Sequence, residues 1–303
     1  MFRSYYSGFA DEAGASLDIQ LHVTRALGWS NIEMRNVEVP GFPGGNLHDI
    51  PDDAFEKLAA TLSEAGVRVN SLGSSITNAS KSIRDPFDGC RAAAERGAQR
   101  ARKLGTEYIR VMSYAVGDVH DLMEEERFRR LREVVRIFAD SGATVVHENC
   151  SCYGAMSVNH SIRLLEEVPG LKLVFDMGNC GGDPDFSKPE VDGIRPRVNA
   201  WEFYQGVREH IAYVHIKDVI WDPVKQAKIH TFPGEGACYV KEIIADLLAA
   251  GYTGPLSIEP HMHAGLPASL GLTDAENRQQ TYIEYGQRLQ RIVESVSSAS
   301  AAR

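Results

Sequence analysis

Four short segments place a group able to bind a metal or move a proton at the end of an otherwise apolar run. They are HENC with Glu148, FDMGN with Asp176, VHIKD with His215 and SIEPH with Glu259. An unpaired carboxylate in apolar surroundings costs several kcal/mol unless it is hydrogen-bonded, ion-paired or bound to a cation. LKLVFDMGNC shows the problem, because Leu171, Leu173 and Phe175 lead directly into Asp176. Taken singly, each carboxylate reads equally as a cap on the helix that follows. Taken together, the four are separated by 28, 39 and 44 residues, each close to the length of one strand-plus-helix unit. Three carboxylates gathered in one place repel one another, and a bound divalent cation reverses that penalty. Three carboxylates and one imidazole suit an oxygen-preferring ion with open positions: Mn²⁺ first, with Mg²⁺, Co²⁺ and Zn²⁺ as the other candidates.

What would bring such residues together is a repeated unit. Short β-rich runs alternate with long amphipathic ones along the whole chain: SYYSGFA, NIEMRNV, VRVNSLGS, EYIRVMSY, TVVHENC, LKLVFDMG, IAYVHIKD and PLSIEP read as strands. Between them lie helical patterns such as DDAFEKLAATLSEAG and RAAAERGAQRARKLG, and several end on the glycine that suits a left-handed C-cap. Eight such units predict an α/β fold of the (β/α)8 TIM-barrel type, in a single domain over residues 1–296, with SVSSASAAR giving a flexible tail over 297–303. The competing arrangement is a doubly wound open sheet, but no G-x-G-x-x-G follows the first strand. A closed barrel puts its chemistry at the carboxyl ends of its strands, where all four residues fall.

Composition narrows the partners. The chain of 303 residues has 32 Lys plus Arg against 41 Asp plus Glu, a formal net charge of -9, and no concentrated basic run. Nucleic acid and anionic membrane are disfavoured as partners, a small molecule is favoured, and a homo-oligomer stays open. No apolar stretch reaches 18 residues and the start MFRSYYSGFADEAG lacks a signal-peptide core, so a soluble cytoplasmic enzyme is expected. Cys90, Cys150, Cys152, Cys180 and Cys238 are scattered and odd in number, which reads as reduced thiols.

The segments FDMGN, YVHIKD, PGEGACYVKEI and LSIEPH, with SGFADEAG and NIEMRNV before them, resemble the sugar phosphate isomerase/epimerase family with the xylose-isomerase-like barrel. The resemblance covers most of the chain. It implies a single divalent metal on Glu148, Asp176, His215 and Glu259. It also implies that Glu148 and Glu259 exchange protons with a keto-sugar or related polyol through a metal-stabilised enediolate. Dehydratase or lyase chemistry on a keto-sugar, inosose or keto-glycoside is the alternative on the same site, and a non-catalytic sugar-binding barrel is the alternative outside enzymes. The keto-sugar epimerases of the family carry a His where this chain has Asn179, so the substrate does not follow from the resemblance.

Further residues are expected to touch substrate. Arg35 has a planar fork suited to a carboxylate or phosphate, the competing reading being an ion pair with Asp11, Glu12 or Glu33. Arg110 leans to the structural side. Asn179 follows Asp176 by three residues, Lys217 shares the inward face of His215 by strand alternation, and His261 lies just past Glu259. In the family the GEG segment lies close to the metal, which makes Glu235 a contact with substrate or with a metal ligand. Alternation turns His147 to the opposite face from Glu148, a structural position.

Overall fold

The structure, a computed structural model, describes residues 4–301. Eight parallel strands form the central sheet: β1 (Tyr5–Gly8), β2 (Asn31–Met34), β3 (Arg68–Gly73), β4 (Tyr108–Val111), β5 (Thr144–Glu148), β6 (Lys172–Asp176), β7 (Ile211–Ile216) and β8 (Pro255–Ile258). Each of β2 to β7 pairs with its successor, and β8 returns to β1 with Tyr5 opposite Pro255 and Gly8 opposite Ile258. The bridge between Phe9 and Glu33 closes the ring between β1 and β2. The fold is therefore the expected barrel, with no open edge of the kind a doubly wound sheet would leave.

Eight helices follow the strands: α1 (Leu17–Ala26), α2 (Asp52–Ala65), α3 (Asp88–Leu104), α4 (Glu124–Phe138), α5 (Val158–Glu167), α6 (Ala200–Val207), α7 (Val240–Ala249) and α8 (Asp274–Ala301). Acidic residues open several of them, Asp52 and Asp53 on α2 and Glu124 to Glu126 on α4, where the helix dipole favours negative charge. Gly66 and Gly105 end α2 and α3 at φ of 65° and 64°, a conformation that costs other residues a Cβ clash. The tail expected from residue 297 begins within α8, which runs to Ala301; residues 302 and 303 lie outside the described residues. No helix among the described residues is long and apolar enough to cross a membrane, and all five cysteines are free.

Two features differ from a plain repeat of βα units. Antiparallel hairpins are inserted after β2 (Asn36–Val37 with Gly45–Asn46) and after β7 (Asp218–Asp222 with Ala227–Thr231). The second hides in the sequence because VHIKDVIWDP runs from barrel strand to hairpin strand without a break. Its turn is made by Asp222, whose Oδ1 accepts the backbone N–H of Val224 at 2.9 Å and of Lys225 at 3.0 Å. The barrel interior is also unusually polar. Ser7, Glu33, Asn70, Ser71, Tyr213, His215 and Ser257 are fully buried inside it, where branched aliphatics are the common filling.

The loop after β4 is held by a buried arginine with no carboxylate partner among the described residues. Arg127 on α4 donates to the carbonyls of Leu122 at 2.6 Å, Ala115 at 2.7 Å and Val116 at 3.3 Å, and to that of Ser113. Ser113 in turn meets His147 Nε2 at 3.0 Å and accepts from Gly154 N at 3.1 Å, so the arginine braces the end of β5 from outside the barrel. Arg127→Met removes four carbonyl partners at once and should lower stability by about 2–4 kcal/mol, read from the urea midpoint. A loss below about 1 kcal/mol would show that the loop holds its own shape.

Candidate functional site

Glu148 ends β5, Asp176 ends β6, His215 is the last residue but one of β7, and Glu259 follows β8 directly. All four side chains are buried, and one ligand atom from each lies within 4.8 Å of the others. His215 Nδ1 stands 3.5 Å from Glu259 Oε2 and 3.8 Å from both Glu148 Oε1 and Asp176 Oδ2. Those spacings are too long for hydrogen bonds. Three of these atoms, His215 Nδ1, Asp176 Oδ2 and Glu259 Oε2, are buried with no hydrogen-bond partner. Buried polar atoms that make no hydrogen bond are rare, and three that converge, two of them also facing the Lys217 ammonium, form a place for positive charge that a single cation could fill. One nitrogen and three carboxylates could hold a divalent ion.

The imidazole is aimed from behind. His215 Nε2 lies 2.9 Å from Glu33 Oε2, and the same carboxylate accepts hydrogen bonds from Ser257 Oγ at 2.7 Å, Ser71 Oγ at 3.1 Å and the Tyr213 hydroxyl. In the neutral ring, a proton held on Nε2 toward Glu33 would leave the Nδ1 lone pair facing the cluster, free for a cation. Burial works against charging His215, but Glu33 and then Glu148 outweigh it and raise its pKa well above the usual imidazole value. The pocket therefore stabilises positive charge strongly at this point.

Each carboxylate has its own setting. At Glu148, burial pushes the pKa up, but Arg110 overcomes it and the carboxyl settles at about 2. Arg110 Nη1 donates to Oε2 at 2.7 Å and Asn179 Nδ2 to Oε1 at 2.9 Å. At Glu259, burial again opposes ionisation, yet Lys217 and a hydrogen bond from His261 hold the pKa well below normal. Arg35 Nη1 and His261 Nε2 both lie 3.2 Å from its Oε1. Asp176 is raised to about 6, chiefly by burial against the pull of Lys217. Its two oxygens divide the work. Oδ1 accepts from Asn179 N at 2.7 Å and caps the helical turn Met177–Cys180, while Oδ2 faces the cluster. Helix cap and cluster member are thus one residue.

Of the residues expected around the four, Arg35, Asn179, Lys217 and His261 are brought to the cluster. Arg35 is committed to carboxylates, with Nε 2.9 Å from Asp11, Nη2 3.6 Å from Glu12 and Nη1 on Glu259. Lys217 Nζ approaches Asp176 Oδ2 at 2.9 Å and Glu259 Oε2 at 2.8 Å, in contacts not aligned as hydrogen bonds, and donates to Asn179 Oδ1 at 3.3 Å. Glu235 is not brought there. Its side chain is 56% exposed and pairs with Arg288 of α8. The GEG turn serves a different carboxylate: Gly234 N and Gly236 N donate to Asp218 Oδ2 at 2.8 and 2.9 Å, and Cys238 N to Oδ1 at 3.1 Å. The loop anchors the hairpin base, and the physical reason is that its backbone, not its glutamate, points inward.

Three residues at the site carry little sequence signal. Glu33 could have been found from NIEM, where it shares a strand face with Asn31 while Ile32 and Met34 take the other. Asn149 clamps β5 to β6 by donating from Nδ2 to Asp176 O at 2.9 Å and accepting from Asp176 N at 2.7 Å. Glu12 accepts His261 N at 2.6 Å, and nothing in FADEAG marks it for that.

Comparison with known proteins agrees with the geometry. The family model of the xylose isomerase-like TIM barrel matches residues 21–288, and the chain belongs to that family. Among solved structures, a xylose isomerase domain protein from Planctomyces limnophilus is 16% identical, with 98% of this chain and 99% of that chain covered and a TM-score of 0.71. A xylose isomerase-like TIM barrel protein from Mycobacterium smegmatis in complex with magnesium is 17% identical, with coverage of 97% and 98% and a TM-score of 0.64. The 3-keto-D-glucoside 4-epimerase of E. coli is 15% identical, with coverage of 96% and 100% and a TM-score of 0.62. No curated protein matches the chain.

Lys217 reaches the cluster because Gly178 leaves room for it: a Cβ there would stand 2.5 Å from Lys217 Cγ and 2.8 Å from its Cβ and Cδ. Gly178→Ala should displace the lysine stem and cost about 1–3 kcal/mol, measured by urea denaturation. An unchanged midpoint would show that the stem yields freely.

Proposed function

We propose that this chain is an isomerase or epimerase of a small keto-sugar or related polyol, and that Glu148, Asp176, His215 and Glu259 hold one divalent cation, Mn²⁺ ahead of Mg²⁺, Co²⁺ or Zn²⁺. What supports the reading is the convergence, on the carboxyl-end face of the barrel, of three buried ligand atoms that make no hydrogen bond with any described residue. A cation held there would act as a Lewis acid toward a carbonyl and its neighbouring hydroxyl, making the adjacent C–H more acidic. A reducing, cytoplasmic setting goes with the five free thiols.

The proton work falls to the side chains. Glu148, kept ionised by Arg110, is the base that removes the proton beside the carbonyl. For isomerisation it returns the proton to the neighbouring carbon. For epimerisation Glu259, ionised at rest, takes up a proton from solvent within the turnover and delivers it to the opposite face, and Glu148 gives its proton up to solvent. Arg110 and Asn179 fix one carboxylate, Arg35 and His261 the other, so neither has to reorient at the moment of transfer. Glu33 is a positioning residue that acts through His215.

Lys217 favours a second reading, elimination. Its ammonium beside Asp176 and Glu259 is a third proton-bearing group at the site, able to neutralise a β-hydroxyl that leaves as water.

Metal analysis of the purified protein after loading with Mn²⁺ should give one ion per chain, lost in Asp176→Asn and His215→Ala. Glu33→Gln should weaken binding about 10–100-fold, as expected for a hydrogen-bond partner of a metal-ligating His. Stoichiometric metal in every variant would rule out the site. In D₂O, turnover of a keto-sugar panel followed by NMR should place solvent deuterium beside the carbonyl without loss of water, and should fall at least about 100-fold in Glu148→Gln and in Glu259→Gln. A product lacking one water would decide for elimination.

A further inference from the structure

Beside Glu259 lies a cavity of about 420 Å³ walled by Glu12, Arg35, His230, His261, His263 and Arg278, with Asp11 at its edge. Two of these residues touch the Glu259 carboxylate, Arg35 and His261, each at 3.2 Å. The cavity is thus one residue away from the Glu259 carboxylate, and Arg278 of α8 forms part of its wall. Its size is that of a pocket for a small ligand.

Most of its charges are already committed. Asp11 accepts from Arg35 Nε at 2.9 Å and Nη2 at 3.2 Å, and from Asn36 Nδ2 at 3.2 Å. Glu12 accepts His261 N at 2.6 Å, and its other carboxylate oxygen lies 3.3 Å from the same residue's Nε2. Arg35 is divided between Asp11, Glu12 and Glu259. What remains is Arg278, which has no ion pair or hydrogen bond with any described residue, and His263, which has none either. His230 lines the same space with its Nδ1 buried and unpartnered. Burial, then the neighbouring His261 and Lys217, hold its pKa down at about 4, so it faces the cavity as a neutral donor and acceptor.

The helix backbone at Arg278 is held in place. On either side of it along α8, Asn277 Oδ1 accepts Leu266 N at 3.2 Å, Asn277 Nδ2 donates to Leu266 O at 3.0 Å, and Thr281 Oγ1 accepts Gly265 N at 2.9 Å. These bonds tie the helix to the loop that carries His261 and His263. The result is a guanidinium with no counter-ion on the wall of a cavity, in a chain of net charge -9 that otherwise repels anions. A planar fork of this kind matches a carboxylate or phosphate in two parallel hydrogen bonds.

We propose that this cavity seats the far end of the substrate, that this end carries a carboxylate or a phosphate, and that Arg278 reads it while His230 meets a hydroxyl along the way. The substrate class is then a keto-sugar acid or a keto-sugar phosphate, not a free ketose. The proposal rests on the preceding reading to the extent that Glu259 marks the reacting end.

The test is calorimetric titration of three ligands that differ only at the last carbon, D-fructose, D-fructuronate and D-fructose 6-phosphate, into the full chain with and without Mn²⁺. At least one of the two anions should bind ten times more tightly than D-fructose or better, and which one does separates carboxylate from phosphate. Arg278→Gln should erase that preference to within twofold with no change in thermal midpoint, and Arg278→Lys should keep more of a phosphate preference than of a carboxylate one. Equal or undetectable binding of all three by the wild type, or an undiminished preference in Arg278→Gln, would overturn the proposal. A preference that depends on Arg278 in a protein that binds no Mn²⁺ would uphold the anion pocket and overturn the metal reading instead.

Discussion

A carboxylate at the heart of a closed barrel must be fully satisfied or it destabilises the fold, and Glu33 is satisfied by four donors from three other strands: Ser71 of β3, Tyr213 and His215 of β7, and Ser257 of β8. That set explains why the barrel interior is polar at this level. It also decides the orientation of the imidazole, since a ring anchored at Nε2 presents Nδ1 to the mouth. Everything above Glu33 follows from that choice. The three carboxylates face a nitrogen whose direction is set from below; Arg35 and Arg110 stand at the periphery, while Lys217 reaches two of the cluster oxygens.

The periphery is a balance of opposite charges in a confined space. Four acidic groups, Glu33, Glu148, Asp176 and Glu259, are met by Arg35, Arg110, Lys217 and His215. Buried ion pairs are weak sources of net stability, because desolvation offsets most of the attraction. Their value here is positional. Phe9 packs against two guanidinium groups, with Arg35 4.4 Å and Arg110 5.1 Å from its ring centroid, so the cations that hold the two glutamates are themselves packed. A site arranged in this way can keep two carboxylates ionised and aligned without help from substrate.

The loops that vary between barrels of this kind contribute the rest. The hairpin after β7 and the GEG turn close on each other through Asp218, and α8 closes over the loop after β8 through Asn277 and Thr281. These contacts do not alter the cluster, but they shape the space next to it. A common scaffold with individual walls is the usual way in which barrels of one family come to accept different ligands.

How much of this the sequence carried depends on the range of the interaction. The count and order of the βα units, the strand ends and the identity of the four clustered residues were legible, since strand alternation and helix periodicity act over a few residues and glycine marks their limits. Asp176 was legible both as cap and as cluster member because both roles follow from its place at the end of β6. The division of its two oxygens was not. Nor was the pairing of Arg35 with Glu259, 224 residues away, or the bond from Ser257 to Glu33 across the same span. Glu235 shows the limit from the other side: the turn around it lies near the barrel mouth, but its side chain turns outward to pair with Arg288 of α8. Residue types and strand ends therefore determined what chemistry could gather at this barrel's mouth. Only the closed fold decided which atoms face one another, because those contacts exist only once strands far apart in the chain are neighbours in the ring.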